Sequence, residues 1–538
     1  MTIENHDDVA LRWEAHHGRV VRSQVNRPPN VDAMFAQAVA RSPEAIAIVD
    51  GDMRWSYADL ARRVAQCAGR LRSLGMQSGD RVALLLGNRS DFVVLLLASS
   101  RLGLVSVPMN IRQSAAEIAF ALGDCGAVAL FAEADLTERL PDPADIHSCR
   151  HVILIDDDRR AWDGDSPSVD GAVAVQEDEP CCILYTSGTT GKPKGAVLTH
   201  FGIVTNCIGS EAALELRLQE SMILSVPASH VTGLLLVILL AVRVSGKIVI
   251  QRQFKAAAFL ELAQRERMTY AIMVPAMYNL CLLQPGFTAF DLSSWRVGAF
   301  GGAPMPEATI DALSQCVPSL ALVNIYGATE TTSPAVMMPP GDLRGRTEKV
   351  GKPLPYCDIR IMDEAGRELP SGVCGEIWIA GPIIIPYYWN RPDANAADFV
   401  GGYWKSGDLG AVDADGYLSL LDRKKDMINR GGFKIYSVEV ENVLMRHDAV
   451  VEAAVVPCPC PVLGERVEAF AVVNADVNPA ELRALCAGLL SDYKVPDHVE
   501  IVPGPLPRNA NGKLLKGEMR QWAIDRCGRD NTEEAVQR

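Results

Sequence analysis

The 538-residue chain exceeds the size at which one hydrophobic core keeps growing, so at least two folding units are expected. Hydrophobic residues at 48% and charged residues at 22% exclude the disordered class, and a formal net charge of −14 excludes a surface built to neutralise nucleic acid. The 14 cysteines come with the opening MTIENHDDVALRWEAHHGRV, which has no basic patch followed by an apolar run, so a reduced, cytoplasmic protein is expected.

In chain order, residues 57–74 repeat apolar positions at helical spacing, residues 81–86 read as a buried strand, and residues 91–102 return to a helix. The alternation recurs with strands at 152–155, 181–185 and 247–250 and a helix at 256–267. That is the pattern of a mostly parallel, helix-covered sheet in an α/β domain. The longest apolar run, residues 231–244, falls short of the ~20 residues that cross a bilayer and reads as a buried helix. Near residues 370–381 the texture changes to short strands and turns, as in a small β-rich subdomain.

The charged run Asp422-Arg423-Lys424-Lys425-Asp426 between two apolar segments marks an exposed connection between domains. Beyond it, helices at 437–445 and 479–490 and strands at 450–456 and 469–473 predict a small α+β domain. The expected division is 1–422 and 423–538, with a weakly patterned polar tail from about 526. The cysteine pairs Cys181-Cys182 and Cys458-Pro459-Cys460 lack the spacing and the second ligand pair of a zinc site.

Residues 185–195 read YTSGTTGKPKG, between an apolar strand and an apolar segment. Gly188, Gly191 and Gly195 allow backbone N–H groups to turn inward. Thr186, Ser187, Thr189 and Thr190 add hydroxyls, and Lys192 and Lys194 add positive charge for a polyphosphate. The loop is not of the Walker type, because only Thr189 and Thr190 separate Gly188 from Gly191.

This string resembles the signature of the adenylate-forming superfamily of acyl- and aryl-CoA synthetases, peptide-synthetase adenylation domains and luciferases. Further motifs follow in order: Gly301-Gly302-Ala303-Pro304, Asn324-Ile325-Tyr326-Gly327-Ala328-Thr329-Glu330, Trp404-Lys405-Ser406-Gly407-Asp408, Asp422-Arg423, Gly431-Gly432-Phe433-Lys434, and residues 507–513, PRNANGK. The resemblance implies that the phosphate loop and Gly302, Ala303, Pro304, Asn324, Tyr326, Gly327 and Thr329 hold ATP, with adenine on the Tyr326 ring. Glu330, with Thr186, supplies hard oxygen ligands for Mg²⁺. Asp408 meets the ribose hydroxyls, and Arg423 donates to the same sugar or to the phosphate.

The resemblance also implies that Lys513 meets the reacting carboxylate and α-phosphate, where losing such a donor costs about 2.7–4 kcal/mol. Coenzyme A then arrives past Gly431, Gly432 and Lys434, and Lys425 is the pivot on which the small domain reorients between half-reactions.

His230 resembles the residue that closes the acid pocket, with Val231, Gly233, Leu234 and Gly301 around the acyl group. No acidic residue follows His230 to pair with a substrate ammonium, so the expected acid is hydrophobic: aryl, alicyclic or fatty. Two departures from the pattern are Pro386, which removes a backbone donor, and Ser406, which keeps a hydroxyl. The motifs leave open whether the acceptor thiol is free coenzyme A or the phosphopantetheine of an acyl carrier protein, and a non-catalytic nucleotide-binding protein is a third alternative. They do not report oligomeric state.

Overall fold

The computed structural model describes residues 10–158, 160–163, 167–169, 171–186, 193–303, 305–508 and 514–536, with residues 527–536 described by their backbone alone. The chain forms two compact units. One comprises Met1–Ile359, Trp378–Lys405 and Asp415–Leu418, and the other Arg360–Ile377, Ser406–Ala414 and Ser419–Arg538.

Two large sheets build the first unit. One has the strand order Tyr388–Trp389, Lys194–Thr199, Pro180–Thr186, Val105–Pro108, Arg81–Leu85, Ala129–Glu133, His151–Ile155. Its pairings are parallel from Pro180–Thr186 to His151–Ile155 and antiparallel at the other end. The second sheet is parallel from Ala321–Tyr326 through Val297–Gly301, Tyr270–Met273, Ser221–Leu224 and Lys247–Ile250 to Ile46–Asp50. Short antiparallel strands flank it. The near-continuous apolar character of Ser221–Leu224 and Lys247–Ile250 is what strands covered on both faces require.

Helix Tyr57–Ser73 starts at Ser56, whose side chain and that of Asp59 cap each other's backbone N–H. It buries Leu60, Val64, Cys67, Ala68 and Leu71 at helical spacing. Helix Ser90–Leu102 is buried along its whole length and ends at Gly103, in the left-handed conformation at φ 68°.

Residues 231–243 are helical as expected, and the middle turn, Leu234–Leu239, is a π-helix. All six of its side chains are buried. An insertion of this kind widens the helix locally, and such turns cluster at functional sites.

Composition gave no sign of the hairpin Leu11–His16 and Arg19–Gln24, whose turn places His17 and Gly18 at φ 48° and 71°. Arg27 anchors it by pairing with Glu14 and Glu177 at 2.7 and 2.9 Å, and His16 Nδ1 lies 2.8 Å from Asp178.

In the second unit, Val450–Cys460 and Gly464–Val473 form a long antiparallel pair, extended by Ile428–Arg430 and Phe433–Ile435 and by the parallel strand His498–Ile501. Helices Ser437–Leu444 and Pro479–Leu489 cover a core that includes Ile435, Val440, Val455, Ala469 and Leu482. Where the sequence reads as a tail, the backbone continues as helix Lys516–Val536. Met519 and Ala523, four residues apart, are buried against Val456 and Phe470, and this short apolar face holds the first turns. Among the described residues no helix is long and apolar enough to cross a membrane.

Candidate active site

The phosphate-loop string sits where Pro180–Thr186 pairs antiparallel with Lys194–Thr199. Ser187, Gly188, Thr189, Thr190, Gly191 and Lys192 lie outside the described residues, as do Pro304 and Lys513. The two ends of the loop are defined, because Thr186 is paired directly with Lys194. Gly195 has no room for a side chain: a Cβ there would lie 2.9 Å from Ile183 and 3.2 Å from the Tyr185 ring.

Thr186 Oγ1 lies 3.5 Å from Glu330 Oε1. The same carboxylate oxygen accepts a 3.0 Å hydrogen bond from Tyr388, whose hydroxyl accepts one from Trp404 Nε1 at 3.3 Å. Burial, then the Glu330 charge, pushes the Tyr388 hydroxyl far above its ordinary range, so it remains a donor. A hydroxyl and a carboxylate oxygen this close are the hard-oxygen donor set that suits a magnesium ion. Lys194 is otherwise engaged: its ammonium pairs with Asp398 at 2.7 Å and lies 4.8 Å from the centre of the Tyr388 ring.

The remaining motifs of this unit fall at the carboxyl ends of neighbouring parallel strands, where α/β sheets bind ligands. Gly301 ends Val297–Gly301 and lies in register with Ile325 on Ala321–Tyr326, so Gly302 and Ala303 emerge beside Tyr326 and Gly327. A Cβ at Gly301 would stand 2.6 Å from the Ile325 carbonyl oxygen, and one at Gly327 2.9 Å from the Pro334 backbone. Thr329 and Glu330 then turn in a short 3-10 helix, Thr329–Thr331. Asn324 is used structurally, its amide donating to the Lys349 carbonyl at 3.1 Å.

His230 follows Ser221–Leu224, on the same edge of that sheet. It caps the helix that follows: Nδ1 accepts from Thr232 N at 3.3 Å and lies 3.1 Å from Thr232 Oγ1, which fixes the ring. Val231, Gly233 and Leu234 are buried behind it, and a Cβ at Gly233 would collide with the Pro227 carbonyl oxygen at 2.3 Å.

The second unit holds the other group of predicted residues. Asp408 is buried on strand Tyr403–Val412 and pairs with Arg423 Nε at 3.0 Å. Ser406 uses its hydroxyl twice, accepting from Asp408 N at 3.0 Å and donating to the Ile377 carbonyl at 2.7 Å. Gly431 and Gly432 form the turn between Ile428–Arg430 and Phe433–Ile435, at φ 59° and 91°. Both values lie in the left-handed region, so the turn itself demands this pair. Lys434 is exposed beside Glu364 at 3.3 Å.

Lys425 is exposed, and its carbonyl accepts from Arg520 at 2.9 Å. Beside this segment Asp422 is buried, accepting from the Ser437 backbone and hydroxyl, while Lys516 reaches Ser437 Oγ at 2.7 Å and Glu441 at 2.6 Å. Burial raises the pKa of both Asp422 and Glu441.

Two models of protein families match the chain: the AMP-binding enzyme model over residues 35–389 and the AMP-binding enzyme C-terminal domain model over residues 439–513. The chain belongs to the AMP-binding enzyme family. It is 36% identical to a feruloyl-CoA synthase of an Amycolatopsis species over 89% of this chain and 96% of that one. It is 34% identical to the fatty acid–[acyl-carrier-protein] ligase ScoC of Streptomyces coeruleorubidus over 86% and 91% of the two chains.

Among solved structures it resembles the o-succinylbenzoate CoA synthetase of Bacillus subtilis in complex with its acyl-adenylate intermediate. The TM-score is 0.83 at 30% identity, covering 92% of this chain and 99% of that one. The fold is that of the adenylate-forming enzymes, and the chain is an AMP-forming ligase of the acyl/aryl-CoA synthetase type.

The sequence motifs missed Tyr388, Trp404 and Asp398 as partners of the phosphate-loop hairpin. The string Tyr387-Tyr388-Trp389-Asn390 held a signal, since three aromatic residues after Pro386 are costly on a surface. Pro386 itself falls between two engaged neighbours: Ile385 N donates to the Glu330 carbonyl at 2.9 Å, and the Tyr387 carbonyl accepts from Val197 at 3.3 Å.

Proposed function

We propose that this enzyme activates a hydrophobic carboxylic acid with ATP as an acyl-adenylate and then transfers the acyl group to coenzyme A as a thioester. The observation that carries the reading is the cluster of Glu330, Thr186 and Tyr388 at the foot of the phosphate-loop hairpin. In this reading the substrate carboxylate attacks the α-phosphorus of ATP, and pyrophosphate leaves toward residues 187–192. Glu330 and Thr186 would hold Mg²⁺, whose charge would offset that of the phosphates. Tyr388 donates to Glu330 and fixes its carboxylate; Tyr326 offers adenine its ring, and Asp408, oriented by Ser406 and Arg423, offers the ribose a carboxylate.

Lys513 is assigned the charge that brings two anions together, and Lys425 the pivot. His230, fixed by Thr232, gates an acid pocket backed by Val231, Gly233 and the π-turn Leu234–Leu239. That wall is wholly apolar, which supports an aryl, alicyclic or fatty acid and speaks against a charged acyl chain.

The test incubates the enzyme with ATP, Mg²⁺, coenzyme A and a panel of hydrophobic acids and measures AMP and thioester. The reading predicts acid-dependent AMP with at least one of them, and AMP with none would overturn it. A second reading, in which the acyl group passes to a carrier protein, is supported by the likeness to ScoC. Supplying free coenzyme A and a phosphopantetheinylated carrier protein in parallel separates the two by which thiol becomes acylated.

A further inference from the structure

Strand Pro180–Thr186 pairs regularly with Lys194–Thr199 until Leu198 faces Cys182 and Thr199 faces Pro180, so that Cys181 is an extra residue. Such a bulge turns consecutive side chains toward one side instead of opposite sides. The two sulfurs accordingly lie 4.0 Å apart, the Cys182 thiol donating to Cys181, and both residues are buried. Closing a bond between them brings the sulfurs about 2 Å nearer, and because neighbouring Cα atoms stand only about 3.8 Å apart, below the usual disulfide range, it also turns the backbone between them.

The surroundings are chemically specific. His200 is fully buried beside Cys181, and its Nδ1 accepts from Val31 N at 3.2 Å, which leaves the ring proton on Nε2, a nitrogen with no hydrogen-bond partner among the described residues. The hydrogen bond from Cys182, then the His200 ring, holds the Cys181 thiol below its ordinary range, against the effect of burial. Ser100 stands beside Cys181, and Ser106 lies in register with Cys182. The Ser106 hydroxyl is likewise buried without a hydrogen-bond partner among the described residues. Buried, unspent donors call for an explanation, and an oxygen added to sulfur would use them.

We infer that Cys181 and Cys182 form a reversible oxidation site that closes to a vicinal disulfide under a peroxide. Cys181 sulfur attacks one oxygen of hydrogen peroxide; the O–O bond breaks, an S–O bond forms, and the thiol proton leaves with the displaced oxygen as water. Cys182 sulfur then attacks that sulfur, the S–O bond breaks, and a second water leaves. Two thiols are oxidised and one peroxide is reduced to two waters. The ring tightens the strand that ends at Thr186, so oxidation disturbs the pairing of Thr186 with Lys194 and with it Glu330.

The experiment treats the native enzyme with hydrogen peroxide, denatures it, blocks remaining thiols with N-ethylmaleimide and reads the mass of the peptide containing both cysteines. The expected peptide carries no maleimide and lacks two hydrogens, and dithiothreitol applied before blocking restores two maleimide adducts. Where an acid supports AMP formation, peroxide lowers the rate by about tenfold in the wild type, and the Cys181→Ser and Cys182→Ser variants resist this loss. Two maleimide adducts on the treated wild-type peptide overturn the inference. So does loss of rate in both variants equal to that of the wild type. The peptide mass needs neither a variant nor a known acid, so it stands apart from the proposed function.

Discussion

Glu330 Oε1 is met by the Thr186 hydroxyl at 3.5 Å and the Tyr388 hydroxyl at 3.0 Å. A hydrogen bond to a charged acceptor contributes about 1.5–3 kcal/mol, so Tyr388→Phe releases the carboxylate without removing it. The expected result is a fall in adenylation of about tenfold for Tyr388→Phe and about a hundredfold or more for Glu330→Gln, with both proteins folded by circular dichroism. Equal rates in wild type and Glu330→Gln would contradict the role.

The two residues differ in how they could be read from sequence. Glu330 stands in a motif whose residues are adjacent in the chain. Tyr388 reaches it across 58 positions, and only the pairing of Tyr388–Trp389 with Lys194–Thr199 brings it there.

Glu266 carries a pH-dependent part of the stability. Burial opposes its charge, but Arg54 and Lys247 overcome it and lower the pKa from 4.5 to about 2. The stabilisation is therefore complete above pH 4.5 and fades as pH falls toward about 2. Allowing for screening at the half-exposed Arg54, it amounts to about 2 kcal/mol. Glu266→Gln should lose that much in urea unfolding at neutral pH and show a shallower acid decline than the wild type; parallel curves would contradict this.

Among the elements, the turn at Gly431 and Gly432 joins a conformational requirement to a proposed passage. Alanine at φ 91° is strained, so Gly432→Ala should cost about 1–2 kcal/mol of stability in thermal unfolding. If the acceptor thiol passes this turn, the same variant retains ATP–pyrophosphate exchange and loses thioester formation; equal loss of both half-reactions argues for a structural role alone.

Hydrophobic period located the helices and strands that it named to within a few residues, including Tyr57–Ser73, Lys247–Ile250 and Pro479–Leu489, but left others such as Val31–Arg41 and His200–Ala213 unplaced. It could not show the π-turn Leu234–Leu239, since an apolar run carries no marker of its hydrogen-bond spacing. It also missed the hairpin at Leu11–His16, held by His16, Arg27, Glu177 and Asp178 through contacts far apart in sequence.

At the scale of the whole molecule, length and alternating texture disclosed an α/β architecture with a smaller α+β unit. Strand order was not legible, because neighbours such as Lys247–Ile250 and Ile46–Asp50 come from distant parts of the chain. Contact within the chain also assigns residues 360–377 and 406–414 to the second unit, a grouping that no local composition signals. Much of the candidate site was legible because each motif is local, whereas Tyr388, the partner that orients Glu330, is brought there by folding.

The most direct measurement is exchange of radiolabelled pyrophosphate into ATP, with Mg²⁺ and a panel of hydrophobic acids, for the wild type and Glu330→Gln. The account predicts exchange that depends on the acid in the wild type and collapses in the variant. Exchange with no acid of the panel, or undiminished exchange in Glu330→Gln, would contradict it.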